Sequence, residues 1–296
     1  MRMRSSNIGG QAVMEGVMMK NKDVYAVAVR KPDKEIDVQV FHVNKSGERF
    51  KKIPVLRGVE VFITSLVVGM KTLTYSASFF EEEEEEPLSE KKEKALMTGT
   101  IILSVLLAIG LFMVTPYLIS LAFGKIISSV TVLAVIEGIM RLVIFFIYIA
   151  AISRLEDIQR VFMYHGAEHK CINCIEHGQE LTVENVRKAS RLHKRCGTSF
   201  LLIVMIVSVI FFVFIRIESP VWRLVIRLLL IPVIAGVSYE FLKFAGRSNN
   251  AVINFLSKPG LWLQKMTTKE PDDSMIEVGI ASVEAVFDWK AFLQEG

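Results

Sequence analysis

Three histidines, two cysteines and two glutamates fall within the fifteen residues "YHGAEHKCINCIEHG", Tyr164 to Gly178. His165 and His169 are four apart, so a helix would place both imidazoles on one face, able to share one ion. Glu168 immediately precedes the second histidine. The result is His-x-x-Glu-His: two ligands, and an acid placed to take a proton from water activated by the metal. A divalent ion, zinc above all, suits that donor set. Such a site also needs a third ligand and an open position. Glu240, an acid inside the apolar run "GVSYEF", is the first candidate for the third ligand. His193 is its rival, and Glu176 and His177 stand behind both. The scheme requires residues 164–170 to be helical, which Gly166 works against.

A second constellation uses other residues. Cys171-x2-Cys174, followed by His193-x2-Cys196, has the spacing of a closed, tetrahedral structural zinc knuckle. It would take up every cysteine of the chain. Without a metal, the cysteines would be small buried hydrophobes and the histidines would hydrogen-bond across their segment.

The elements that must position these groups are mostly apolar. The chain has 296 residues, 52% of them hydrophobic, with a mean hydropathy of +0.42. That excludes an ordinary soluble enzyme and points to a membrane protein with a sizeable polar part. A net charge of +4 calls for no nucleic-acid partner, and no basic cluster is interleaved with aromatics. The N-terminus has charge but no apolar core of a signal peptide. Three cysteines, all between 171 and 196, fit reduced thiols facing a cytoplasm better than a secreted disulfide framework.

Four runs, 101–123, 130–152, 198–217 and 221–245, each approach the ~20 residues that cross a ~30 Å hydrocarbon layer. Short turns join the first two and the last two. The segment between the pairs, 153–197, carries the histidine motif and eight Lys/Arg. The positive-inside rule then places that segment and both termini on the cytoplasmic side of the membrane, with lipid as the constant partner. Charges inside the runs should pair. Glu137 and Arg141 share one helix face, and Arg227 lies at matching depth on another helix. Arg223 would snorkel to the surface, while Pro116 and Pro232 would kink their helices. A polar path through the membrane is the other use of such charges.

The expected fold is a mainly α membrane protein. A four-helix transmembrane bundle would carry a small cytoplasmic α+β domain formed by the N- and C-terminal segments. Residues 1–95 hold a β-hairpin around Pro32-Asp33, preceded by "GGQAVMEGVMM", a strand or tight turn. Within them, 53–80 is amphipathic or re-entrant, and the glutamate run 81–86 reads as a solvated linker. Transmembrane hairpins occupy 96–152 and 198–247, with the His/Cys/Glu segment 153–197 between them. The tail, 248–296, reads as a strand followed by a helix. In the middle segment Thr182 is set to cap a helix. Arg187, Arg191, Lys194 and Arg195 recur there at roughly helical spacing, as a lipid-headgroup or anion-binding stripe.

The blocks "GGQAVMEGVMM", "YHGAEHK", "ENVR…SRLHKRCGTSFL", "PVIAGVSYE" and "PGLWLQKMTTKEPDD" together resemble the YqhQ-like family of bacterial membrane proteins. Members are described as predicted metal-dependent enzymes, so the resemblance implies a membrane-embedded metalloenzyme. The family pattern, as matched here, includes Gln11, Glu15, His165, Glu168, His169, His193, Cys196 and Glu240, but not Cys171. It adds Glu15 as a possible base or ligand beside Glu168. The resulting expectation is a metal-dependent hydrolase acting at the membrane surface on a lipid-linked, membrane-embedded or peptide substrate. The other reading is a non-catalytic transporter or scaffold, whose 153–197 segment is structural with or without zinc.

Overall fold

The computed structural model describes residues 4–43, 53–80, 90–193, 196–215, 217, 219–245 and 250–294. The glutamate run at 81–86, Lys194 and Arg195 lie outside the described residues. The described chain is mainly helical, with one antiparallel sheet of four strands. The strands are β1 (Gly9–Val13), β2 (Gly16–Asn21), β3 (Val24–Arg30) and β4 (Ile36–His42), in sequence order. "GGQAVMEGVMM" is thus both strand and turn: Val13 pairs with Gly16 across a two-residue connection. The expected hairpin around Pro32-Asp33 is β3–β4.

Twelve further segments follow. Helix α1 is Leu56–Ala77. The first apolar run is α2 (Glu90–Ile109), a π-helical segment (Gly110–Val114) and α3 (Thr115–Phe123). Then come α4 (Val130–Ile152), α5 (Glu156–Glu176), α6 (Val183–Lys188) and α7 (Gly197–Phe214). The chain ends with α8 (Pro220–Ala245), α9 (Ala251–Thr267), α10 (Asp273–Glu284) and α11 (Trp289–Gln294). Among the described residues, four helices are long and apolar enough to cross a membrane: Lys94–Phe123, Val130–Ile152, Gly197–Phe214 and Val221–Ala245. They match the four runs expected from the sequence.

The tail differs from its reading. It has no strand among its described residues; α10 and α11 are both helices. The β-branched residues of "MIEVGIASVEAV" suggest a strand, but Met275, Gly279, Ser282 and Val283 recur at helical spacing and are buried. Asp272 caps α10 by accepting the N–H of Met275 at 2.9 Å. Segment 153–197 is likewise no open loop, since 21 of its residues form α5.

The chain forms two compact units. One contains Met1–Phe80, Ile152–Ile203 and Ala235–Gly296, so the middle segment joins both termini in it. Its sheet is covered on both faces. Val17, Met19 and Ala28 pack with Tyr164, Cys171 and Met275, whereas Val13, Tyr25, Val27 and Val29 pack with Val68 and Tyr75 of α1. Double coverage explains why "VYAVAV" is continuously apolar rather than alternating.

The other unit contains Glu81–Ala151 and Val204–Ile234. Here Glu137 receives both terminal nitrogens of Arg227, and Arg141 lies 3.2 Å away. Arg141 also donates to the Phe112 carbonyl and to Ser208. Both guanidiniums stack over the ring of Phe212. The buried cations are therefore met by a carboxylate, a carbonyl, a hydroxyl and an aromatic face. Arg223 donates to the Ile217 carbonyl and lies over Tyr117.

Candidate metal centre

Helix α5 carries the histidines, and its packing explains Gly166. The connection between α9 and α10 crosses α5 there, with the Lys269 N–H donating to the Phe162 carbonyl at 2.8 Å. A Cβ on residue 166 would stand 2.0 Å from the Lys269 carbonyl oxygen. The glycine costs helix propensity but admits this crossing. The same crossing brings the Thr267 carbonyl to the Nδ1 of His165, at 2.8 Å. His169 is held in the same way, its Nδ1 2.7 Å from the Arg191 carbonyl. A carbonyl only accepts, so both Nδ1 atoms carry hydrogen and both Nε2 lone pairs are left to bind. Carbonyl-anchored imidazoles of this kind are the common outer shell of metal-binding histidines.

The third donor is Cys196, immediately before α7. Its Sγ lies 3.2 Å from His165 Nε2. One ligand atom each from His165, His169 and Cys196 fall within 4.8 Å of one another. Thr198 steadies the sulfur through its backbone N–H and its hydroxyl, at 3.4 and 3.1 Å. Among the described residues, two imidazole nitrogens and a cysteine sulfur form a donor set that zinc accepts, one short of four.

Glu168 lies beside this cluster and outside it. Its Oε2 is 3.9 Å from His165 Nε2. Burial pushes its carboxyl above the usual range, opposed by His165 and by the backbone N–H of Gly10, which donates to it. Gly10 therefore ties the first strand to the site.

Several expected ligands are placed elsewhere. Glu240 does not reach the cluster; both of its oxygens take the guanidinium of Arg57 on α1. Glu15 is bound by Arg160 and by the Tyr164 hydroxyl. Gln11 donates to Thr72 of α1 at 2.9 Å. His193 sits 3.4 Å from Glu176, which also accepts the backbone N–H and hydroxyl of Ser6. His177 Nδ1 bonds back to the Asn173 carbonyl.

The four-ligand knuckle is not assembled. Cys171 and Cys174 lie on a different face of α5 from the histidines, in the core against α10. Cys171 abuts Gly279, where an added Cβ would lie 2.9 Å from its sulfur. Burial raises the thiol of Cys174 to about 11 and that of Cys171 further. Such thiols are inert fillers. The basic stripe is not a helical one either. Helix α6 is capped by Thr182 as expected, but it ends at Lys188 because Ala189 is extended. Arg187 then pairs with Asp273, and Arg191 with Glu270 and the Thr268 carbonyl.

Spacing groups Cys196 with Cys171, Cys174 and His193, and the family pattern groups it with the histidines; the structure places it beside His165 and His169. Neither anchoring carbonyl is foreseen by either. A cysteine directly preceding an apolar helix of membrane length was the available signal. The carbonyls leave none, because any residue type supplies one.

Comparison with known proteins adds a relative. The chain is 37% identical over 303 residues to the uncharacterised protein YqhQ of Bacillus subtilis (strain 168). The match covers 97% of this chain and 94% of that protein. No solved structure matches. A family model described as "Protein of unknown function (DUF1385)" matches residues 53–289. By that match and that relative, the chain belongs to this family, as the sequence blocks lead one to expect.

Proposed function

We propose that the protein is a metal-dependent hydrolase of the cell membrane, with its site on the cytoplasmic side. One observation carries the reading: two carbonyl-anchored imidazoles and a thiol converge with one coordination position to spare. A buried carboxylate stands beside them, near but outside the ligand set. Three protein ligands and an open position mark catalytic rather than structural metal sites.

His165, His169 and Cys196 would hold a divalent ion, which would supply polarisation of a carbonyl or phosphoryl group and a nucleophilic water at neutral pH. The chain's own residues do the rest. Thr267 and Arg191 fix the tautomers of the two histidines. Glu168 takes a proton at its carboxylate and returns it to the leaving group, a role that suits an acid whose pKa is already raised. Gly10 orients that carboxylate through its N–H.

A second reading rests on the 3.2 Å contact between Cys196 Sγ and His165 Nε2. Without a metal, that pair with its anchoring carbonyl is a nucleophile and its base.

Elemental analysis of the purified protein, offered zinc, separates the two. A metallohydrolase holds one ion per chain, loses it in H165A/H169A and in C196S, and keeps it in C171S/C174S and E168Q. E168Q should then fail to complement a deletion strain. A wild type that takes up no ion, with Cys196 alkylated by iodoacetamide, would establish the thiol reading instead. Full complementation by E168Q together with failure of R227A would favour a transporter or scaffold.

A further inference from the structure

Helix α1 is built inside out. Three of its four buried residues, Gly58, Thr72 and Ser76, are small or polar, the fourth being Val68, and Tyr75 is half-buried against the sheet. Thr72 accepts from Gln11, and Ser76 accepts the backbone N–H of Met14. Its outward residues are mostly large and apolar, with Ser65, Lys71 and Thr74 exposed among them. Val61, Ile63, Leu66, Val67, Met70 and Leu73 are all exposed, Ile63 and Leu66 by 54% each. A helix resting on a protein in water shows the opposite pattern.

Its neighbours explain the inversion. Gly58 meets Gly236 of α8 so closely that a Cβ on residue 58 would lie 2.8 Å from the Gly236 Cα. A Cβ on residue 236 would lie 2.5 Å from the Val55 carbonyl oxygen. Small residues at a close crossing are the usual means by which helices pack in lipid. Phe62 packs on Phe200 of α7, with ring centroids 6.1 Å apart. Arg57 neutralises Glu240. These two helices, α7 and α8, contain stretches long and apolar enough to span a membrane, Gly197–Phe214 and Val221–Ala245. Leu201 of α7 and Phe244 of α8, on the two helices that α1 packs against here, are exposed as well.

We infer that α1 is a further membrane helix. It lies embedded in one leaflet beside the start of α7 and the end of α8, with Leu66, Val67 and Met70 against acyl chains. The inference rests on the reading that α7 and α8 span a bilayer, and on nothing in the metal centre. Helix α9 marks the depth. It packs Gly260 against Ser199 of α7 and exposes Trp262, a residue type that settles at the headgroup boundary.

The test is spin-label accessibility of the full chain in phosphatidylglycerol-containing vesicles. Labels are placed singly at L66C, V67C and M70C, and any signal from the three native cysteines, all buried, is subtracted. L201C serves as the lipid reference and K290C as the aqueous one. Wild type carried through the same labelling gives the background. The expected result is high collision with oxygen and little with a water-soluble nickel chelate at all three α1 positions, matching L201C. Nickel access equal to that of K290C would overturn the inference and leave α1 in water. Exclusion of both probes would also overturn it, by showing that protein, such as a second copy, covers this face. Should L201C itself read as aqueous, the premise about α7 fails first.

Discussion

At the scale of single residues, the site depends on which atoms are already engaged. His165 and His169 use Nδ1 for carbonyls, so their Nε2 atoms point to a common place without any ion holding them there. Glu168 is the costly member. Its folded-state pKa lies above the ordinary carboxylate value, chiefly through burial. Sign matters here. A raised carboxyl pKa means the fold resists ionisation, so the penalty is absent below about pH 4 and complete once pH exceeds the folded value. In chelator-treated protein, Glu168→Gln should therefore melt with wild type near pH 4 and above it at pH 8. Thermal unfolding at the two pH values checks this, and equal melting at both would contradict the burial argument. Little of this was legible beforehand. The four-residue spacing revealed the histidines, but Cys196 is 27 positions beyond His169, and only the fold could bring it in.

At the scale of elements, the centre is held by α5 and by the crossing of the α9–α10 connection at Gly166. Gly166→Ala would gain helix propensity, and in an isolated helix it would stabilise by about 1 kcal/mol. Here the methyl would strike the Lys269 carbonyl, so the prediction is a net loss of about 1–3 kcal/mol or more. Zinc affinity should fall with it, because Thr267 belongs to the displaced strand of chain. Denaturation with and without zinc, alongside metal titration, measures both effects. An alanine variant as stable as wild type would remove the crossing from the account. Helices were legible where period and length agreed, as in the four apolar runs. The tail was misread because β-branched residues at 278, 280 and 283 carry strand propensity that the capped, buried face of α10 overrides. In α5, Gly166 argued against a helix for a reason that packing reverses.

On the scale of the whole molecule, each compact unit holds its own buried charge. In the unit containing α4, Glu137 answers two arginines. Arg227→Ala would leave Glu137 with Arg141 alone, and breaking such a buried pair costs about 3–5 kcal/mol. We expect a lower melting temperature in detergent with zinc content unchanged, since every metal donor lies in the other unit. Loss of zinc in this variant would show that the two units do not behave separately. The order of synthesis adds a consequence. His165, His169 and Cys196 all leave the ribosome before Thr267, whose carbonyl lies 102 positions beyond His165. A nascent chain thus displays the complete donor set while the mould that orients it is still unmade. Premature termination anywhere between 196 and 267 yields a product with every ligand and no shaped site. On the proposed reading, an ion would be held only by the finished chain, and a truncated product would be told from it by failing to retain added zinc.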